Sequence, residues 1–208
     1  RIPEQVKTLM VVHPRALPER TLYAIEQFVL KGGKLMMFID PISERSPDTK
    51  AANARLDELL AAWGIQMPAN KWLVDSLYTP LETPGAEKNG AHHPGRLNLP
   101  RQAMNTRDIS TWRLNGVTVS SSGALSRRSK SRTTFTPLLQ SSEQSELLEV
   151  EGFAGATALE SLIDDTPIQG KRHVIAARIE GPGYSAFPDG IKGHPPGLQK
   201  AAQIHVVV

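Results

Sequence analysis

KTLMVVHP (residues 7–14), LPERTLYAIEQFVLKGG (17–33) and KLMMFIDP (34–41) read in turn as strand, helix and strand. The runs at 8–12 and 35–39 are short and unbroken in apolar character, which suits strands covered on both faces, as in a parallel sheet. The stretch between them is amphipathic. Leu22, Ile25, Phe28 and Val29 fall on one helical face, Pro18 fits the first turn, and Gly32 and Gly33 supply the permissive backbone that ends the helix. Parallel strands joined through a helix demand a right-handed crossover. The stretch therefore predicts an α/β sheet with helices packed on it, although a fold by itself names no activity.

Further along, Leu56, Leu59, Leu60 and Trp63 recur at i, i+3, i+4 and i+7, which predicts a second core-facing helix that stops at Gly64. Trp72, Leu73 and Val74 read as a third strand. From residue 76 to 110, Pro80, Pro84, Gly85, Gly90, Pro94, Gly95 and Pro100 interrupt every periodicity, so the segment reads as a long loop or flap. Residues 117–119 and 123–125 are short strand candidates, 133–139 is an apolar segment limited by Pro137, and 156–163 suits a short helix. A strand at 173–179 leads through a second Gly/Pro-rich connection, about 181–200, to a final strand at 204–208. These pieces predict a single α/β domain over 1–208, with both breaker-rich segments inserted at the sheet rim. A two-domain split near Ser76 is the alternative.

With 39% hydrophobic and 22% charged residues, the chain can bury a core without disulfides or a structural metal. A net charge of only +3 argues against nucleic acid as partner, since phosphate neutralisation needs a strong basic stripe. Having no cysteine removes thiol nucleophiles, Cys-ligated zinc and iron–sulfur clusters. No apolar run approaches the ~18 residues of a membrane span, and no signal peptide is visible. The chain starts at Arg1 and stops inside a strand-like run, which reads as an excised soluble segment of a longer protein.

No G-x-x-x-x-G-K-[ST] loop is present to cradle ATP phosphates, and the first strand runs into His13-Pro14-Arg15-Ala16-Leu17-Pro18, whose prolines remove amide donors a phosphate would need. No cofactor is expected. A serine hydrolase could be built from Ser121 or Ser122 with His13 and Asp40, which close the first two strands at the edge where α/β sheets gather ligands. VSSSGAL is not G-x-S-x-G, however, and His-Pro and Asp-Pro at strand ends are ordinary turn chemistry. His92, His93 and His194 read as solvated loop residues rather than metal ligands. Arg127, Arg128, Lys130 and Arg132 are candidates for binding an anion, or else a solvated hairpin tip joining Leu125 to Phe135. Trp63 and Trp72 suit core packing, whereas Trp112 beside Arg113 stays open between core and surface. Asp164, Asp165 and the glutamates at 143, 146, 149 and 151 read as exposed faces.

VVHPRALPERTLYAIEQFVLKGGKLMMFIDP (11–41), SSGALS (121–126), TTFTPLLQSS (133–142), HVIAARIEGP (173–182) and SAFPDG (185–190) together resemble, in this order, the extracytoplasmic region of ABC-type transport auxiliary proteins, the family that includes the gliding-motility component GldG. The resemblance implies a three-layer, mostly parallel sheet flanked by helices, of flavodoxin-like or class I glutamine-amidotransferase-like type. It also implies a place on the periplasmic side of the bacterial inner membrane, between membrane segments absent from this chain, and association with an exporter's permease and ATPase. It brings no catalytic residue, and amidotransferase chemistry is closed to a chain without cysteine. The expected function is a non-catalytic scaffold or binding module that presents the loops at 81–100 and 181–197 to a partner, an envelope component or a ligand. A hydrolase at the strand ends and a small-molecule sensor are the alternatives.

Overall fold

A computed structural model describes residues 2–14, 16–41, 54–68, 70–80, 94–149 and 170–208. The helix read at 156–163, the pair His92 and His93, Asp164 and Asp165, and Glu151 lie outside these residues.

The opening unit forms as its pattern requires. β1 (Thr8–Val12), α1 (Glu19–Leu30) and β2 (Lys34–Phe38) follow one another, and β1 and β2 pair in parallel with Thr8 opposite Lys34 and Val12 opposite Phe38. Pro18 is the N-cap residue of α1, just before the first turn, and Gly32 at φ 91° takes the left-handed conformation that lets the chain leave the helix. Leu22, Ile25, Val29 and Leu30 are buried against Leu35, Met37, Ile179, Ile204 and Val206 in one apolar cluster. At about 1.5–3 kcal/mol per buried side chain, these four contribute about 6–12 kcal/mol before conformational entropy is charged against them.

α2 (Ala54–Ala62) adds Leu56, Leu59 and Leu60 to the same cluster, with Trp63 completing the i+7 position fully buried. The chain then runs through β3 (Ile65–Gln66), β4 (Lys71–Asp75), β5 (Arg96–Pro100), a 3-10 turn at Arg101–Ala103, β6 (Gly116–Ser120), β7 (Ser126–Arg127), β8 (Thr134–Gln140), β9 (Ser145–Glu149), β10 (Val174–Tyr184) and β11 (Lys200–Val207). The main sheet has five strands in the order β1-β2-β11-β10-β8. It is mixed: β2 pairs with β1 and β11 in parallel, whereas β10 is antiparallel to both β11 and β8. The sequence reading expects mostly parallel strands. Antiparallel pairing enters because β10 reaches β11 by a returning loop without a crossover helix.

Other differences have equally local causes. Trp72, Leu73 and Val74 do form a strand, but β4 pairs antiparallel with β9 in a separate ribbon instead of joining the sheet. The segment read as one flap over 76–110 contains β5, which pairs antiparallel with β6. Leu97 and Leu99 alternate inward and are buried with Leu73, Tyr78 and Ala103 in a further apolar cluster. Residues 123–125 do not form a strand; Leu125 makes only an isolated bridge to Val174. Pro137 sits inside β8, tolerated because β8 is an edge strand with a register shift beside Ala177. At the other edge, Met10, Val12 and Phe38 are exposed on the sheet face opposite α1.

Candidate functional site

In-register parallel pairing of β1 with β2 brings the residues that follow them to one end of the sheet. His13 and Asp40 consequently meet there, with Nδ1 and Oδ2 3.0 Å apart, and the His13 amide donates to the Phe38 carbonyl. The serine turn reaches the same rim: a Cβ built on Gly123 would stand 3.2 Å from Pro41 Cδ and 2.9 Å from Met67 Sδ. His13 at φ 52° and Ser121 at φ 50° both hold left-handed backbone, an uncommon state for residues with side chains. The parts do not join into a relay, however. Ser121 and Ser122 are buried, their turn is held by Ser121 N–H to Gly95 O and Leu73 N–H to Ser122 O, and among the described residues neither serine hydrogen-bonds His13. The concavity lined by His13, Asp40, Leu56, Asp57 and Met67 measures about 10 Å³, room for about one water and not for a substrate. Burial in that wall pushes the Asp57 carboxyl above its usual value.

The basic run is not a hairpin tip, because β7 pairs with β3 and β8 with β10. It packs at the end of α2, where the Arg128 amide donates to the Gly64 carbonyl. Arg127 donates to Ser131 O, and Arg132 donates to the Tyr184 hydroxyl. Arg128, Lys130 and Arg132 line an open depression of about 810 Å³ shared with Glu58 and Tyr184. Among the described residues no group of three or more His, Asp or Glu side chains is placed to hold a metal.

The connection at 185–199 is fastened to α1 rather than displayed as a free loop. Glu26 lies on the apolar face of α1 between Ile25 and Val29 and is fully buried. It accepts hydrogen bonds from Ser185 Oγ at 2.9 Å, from the Ala186 amide and from Gln27 Nε2, and burial raises its pKa against the pull of those bonds. Gln27 adds an amide fork, with Leu198 N–H donating to Oε1 at 2.8 Å and Nε2 donating to Leu198 O at 3.1 Å. The Tyr23 hydroxyl donates to Pro195 O, and its ring meets buried Phe187 edge-on at 5.8 Å. A carboxylate in the middle of an amphipathic helix's apolar face was the sequence signal for this clamp. Asp75, also fully buried, works similarly, accepting from the Leu77, Tyr78 and Ser142 amides and from Ser142 Oγ.

Fastening the loop creates a groove of about 840 Å³ along α1. Val6, Tyr23, Ala24, Phe28, Pro195 and Pro196 form its apolar floor, and its polar lining carries the cations Lys7, Arg20, Lys31 and Lys34 together with Glu4 and His194. Among the described residues no carboxylate pairs with these four cations. An apolar floor beside a cationic lining can hold an anionic amphipathic segment. Among the described residues no helix is long and apolar enough to cross a membrane.

No curated protein and no solved structure matches the chain. The family described as an ABC-type uncharacterized transport system matches over residues 1–208. The order of the motif pieces, the strand–helix–strand unit that joins them and this full-length match converge: the chain belongs to the auxiliary protein family of ABC-type transport systems.

Proposed function

We propose that the chain is a non-catalytic scaffold domain of an ABC-type exporter, of the gliding-motility type, lying on the periplasmic side of the inner membrane and built on a flavodoxin-like layer plan. It holds the permease subunit through the groove along α1. The family match supports the auxiliary role, and the groove carries the partner assignment, since four cations that have no carboxylate partner among the described residues line it beside an apolar floor fixed by Tyr23 and the loop at 194–197, with Glu4 the one acid in the lining. Such a lining favours a partner segment that is acidic along one side and apolar along the other. Co-purification of the full-length protein in mild detergent tests this. The permease and ATPase are expected to accompany the wild type and to be lost from an Arg20→Glu/Lys31→Glu variant; recovery of neither subunit with wild type, or unchanged recovery with the variant, counts against the proposal.

The His13–Asp40 pair favours one other reading, a hydrolase at the strand ends. It requires Ser121 or Ser122 to become reachable by His13. Labelling of either serine by a serine-reactive phosphonate would support it, and no labelling would dispose of it.

A further inference from the structure

Residues 105–114, NTRDISTWRL, form a loop that is held rigidly yet turns large apolar side chains to solvent. Asp108 organises it. The Ser110 amide and hydroxyl donate to Asp108 Oδ1 at 2.9 and 2.6 Å, and the Thr111 and Trp112 amides donate to the Asp108 carbonyl at 3.1 and 2.8 Å, giving a helical turn. The base of the turn is tied to β8 and β10. The Asn105 amide donates to Leu138 O, Asn105 Nδ2 to Pro137 O, and the hydroxyl of buried Thr111 to Asn105 O at 2.6 Å. Arg178 in β10 grips Asp108 with two bonds of 2.8 and 2.7 Å.

The outward side of this turn carries Ile109 at 83% exposure, Trp112 at 44% and Leu114 at 38%. Cations surround them. The Arg113 guanidinium lies 4.4 Å from the Trp112 ring centroid, Arg101 reaches the Leu114 carbonyl, and exposed Arg107 sits within the turn. Asp108 is the only carboxylate in residues 94–142, and Arg178 neutralises it.

We infer that this turn is a docking tip for an anionic lipid bilayer surface. Ile109 stands out at 83% exposure, so a rigid partner would need a matching cavity for it, whereas a fluid interface deforms around protruding side chains. Indole, aliphatic and arginine groups in one place match the headgroup–acyl boundary, where the ring lies at headgroup level and cations meet acidic phosphates. The loop is ordered before contact, which leaves little conformational entropy to lose on docking. The inference stands apart from the groove on α1 and does not depend on it.

The test uses the 208-residue chain with vesicles of phosphatidylcholine alone or mixed with phosphatidylglycerol. Trp63 and Trp72 are 0% exposed, so a blue shift of tryptophan emission reports Trp112. The shift and vesicle co-flotation are expected with phosphatidylglycerol only and should weaken with added salt. Ile109→Asp is expected to abolish both, and Arg107→Gln or Arg113→Gln to weaken binding about fivefold each. With the wild type alone, lipids brominated just below the headgroup are expected to quench the emission, a readout independent of how variants fold. Any of four results would overturn the inference: no shift with anionic vesicles, equal binding to zwitterionic vesicles, binding unaffected by Ile109→Asp, or loss of a protein or glycan partner in the loop variants while vesicle binding persists.

Discussion

Replacing Arg178 by Met keeps an unbranched apolar stem and removes both bonds to Asp108. Asp108 has only 10% of its side chain exposed and Arg178 23%, so the variant leaves a largely buried carboxylate that keeps only its bonds from Ser110. Breaking a fully buried pair costs about 3–5 kcal/mol. Partial exposure of the arginine lets water compensate the stranded anion, which brings the expected loss to about 2–3 kcal/mol. For a chain of this size that corresponds to a fall in Tm of about 4–12 °C. Urea denaturation of wild type, Arg178→Met, Asp108→Asn and the double variant forms a cycle whose coupling should be about 1–3 kcal/mol, because each single change strands the other partner. The pH dependence gives an independent sign. Arg178 holds the Asp108 carboxyl well below its usual value of 3.8, so the pair's contribution is complete above about pH 4 and is lost as pH falls toward the native pKa. The difference between wild type and Asp108→Asn should therefore shrink in acid. Additive costs in the cycle, or a difference that stays constant down to strongly acidic pH, would refute the assignment of this fork as the anchor of the turn.

Glu26 should show the opposite sign. Its pKa is raised above the usual 4.5 by burial, so its protonated form favours folding, and that contribution is lost as pH rises through the native pKa; a Glu26→Gln variant should lack this downward slope in stability above about pH 4.5, as followed by thermal melts across pH. Asp75→Ala strands four donors from Leu77, Tyr78 and Ser142 and is expected to cost about 3–5 kcal/mol in urea denaturation. Gly64 holds φ 82°, and a Cβ there would collide with Ser131 Oγ, so Gly64→Ala should lower stability by about 1–3 kcal/mol and loosen the basic turn, seen as faster amide exchange at Arg128.

The β1-α1-β2 unit was legible because each of its elements is continuous, of one period, and closed by Pro or Gly. Its register also explains why His13 and Asp40 share a rim, a consequence of parallel pairing alone. β5 was hidden because Pro94, Gly95 and Pro100 crowd it, although the alternation of Leu97 and Leu99 is the period-2 signal of a half-buried strand. The direction of β10 and β8 could not be read, since an apolar run looks the same whichever way its neighbour points. Partners distant in sequence were equally silent: Asp108 and Arg178 lie 70 residues apart, and Glu26 meets Ser185 across 159. The groove along α1 exists only through such contacts, and no local pattern announces it.

The scaffold reading turns on what occupies that groove. Full-length protein carrying a photo-crosslinking residue in place of Ala24, which lines the floor, can be irradiated in intact cells and its adducts identified. Adducts to the permease, lost when Arg20 and Lys31 are reversed to Glu, are the result expected. Adducts formed only from other surfaces, with none from position 24, would contradict the account.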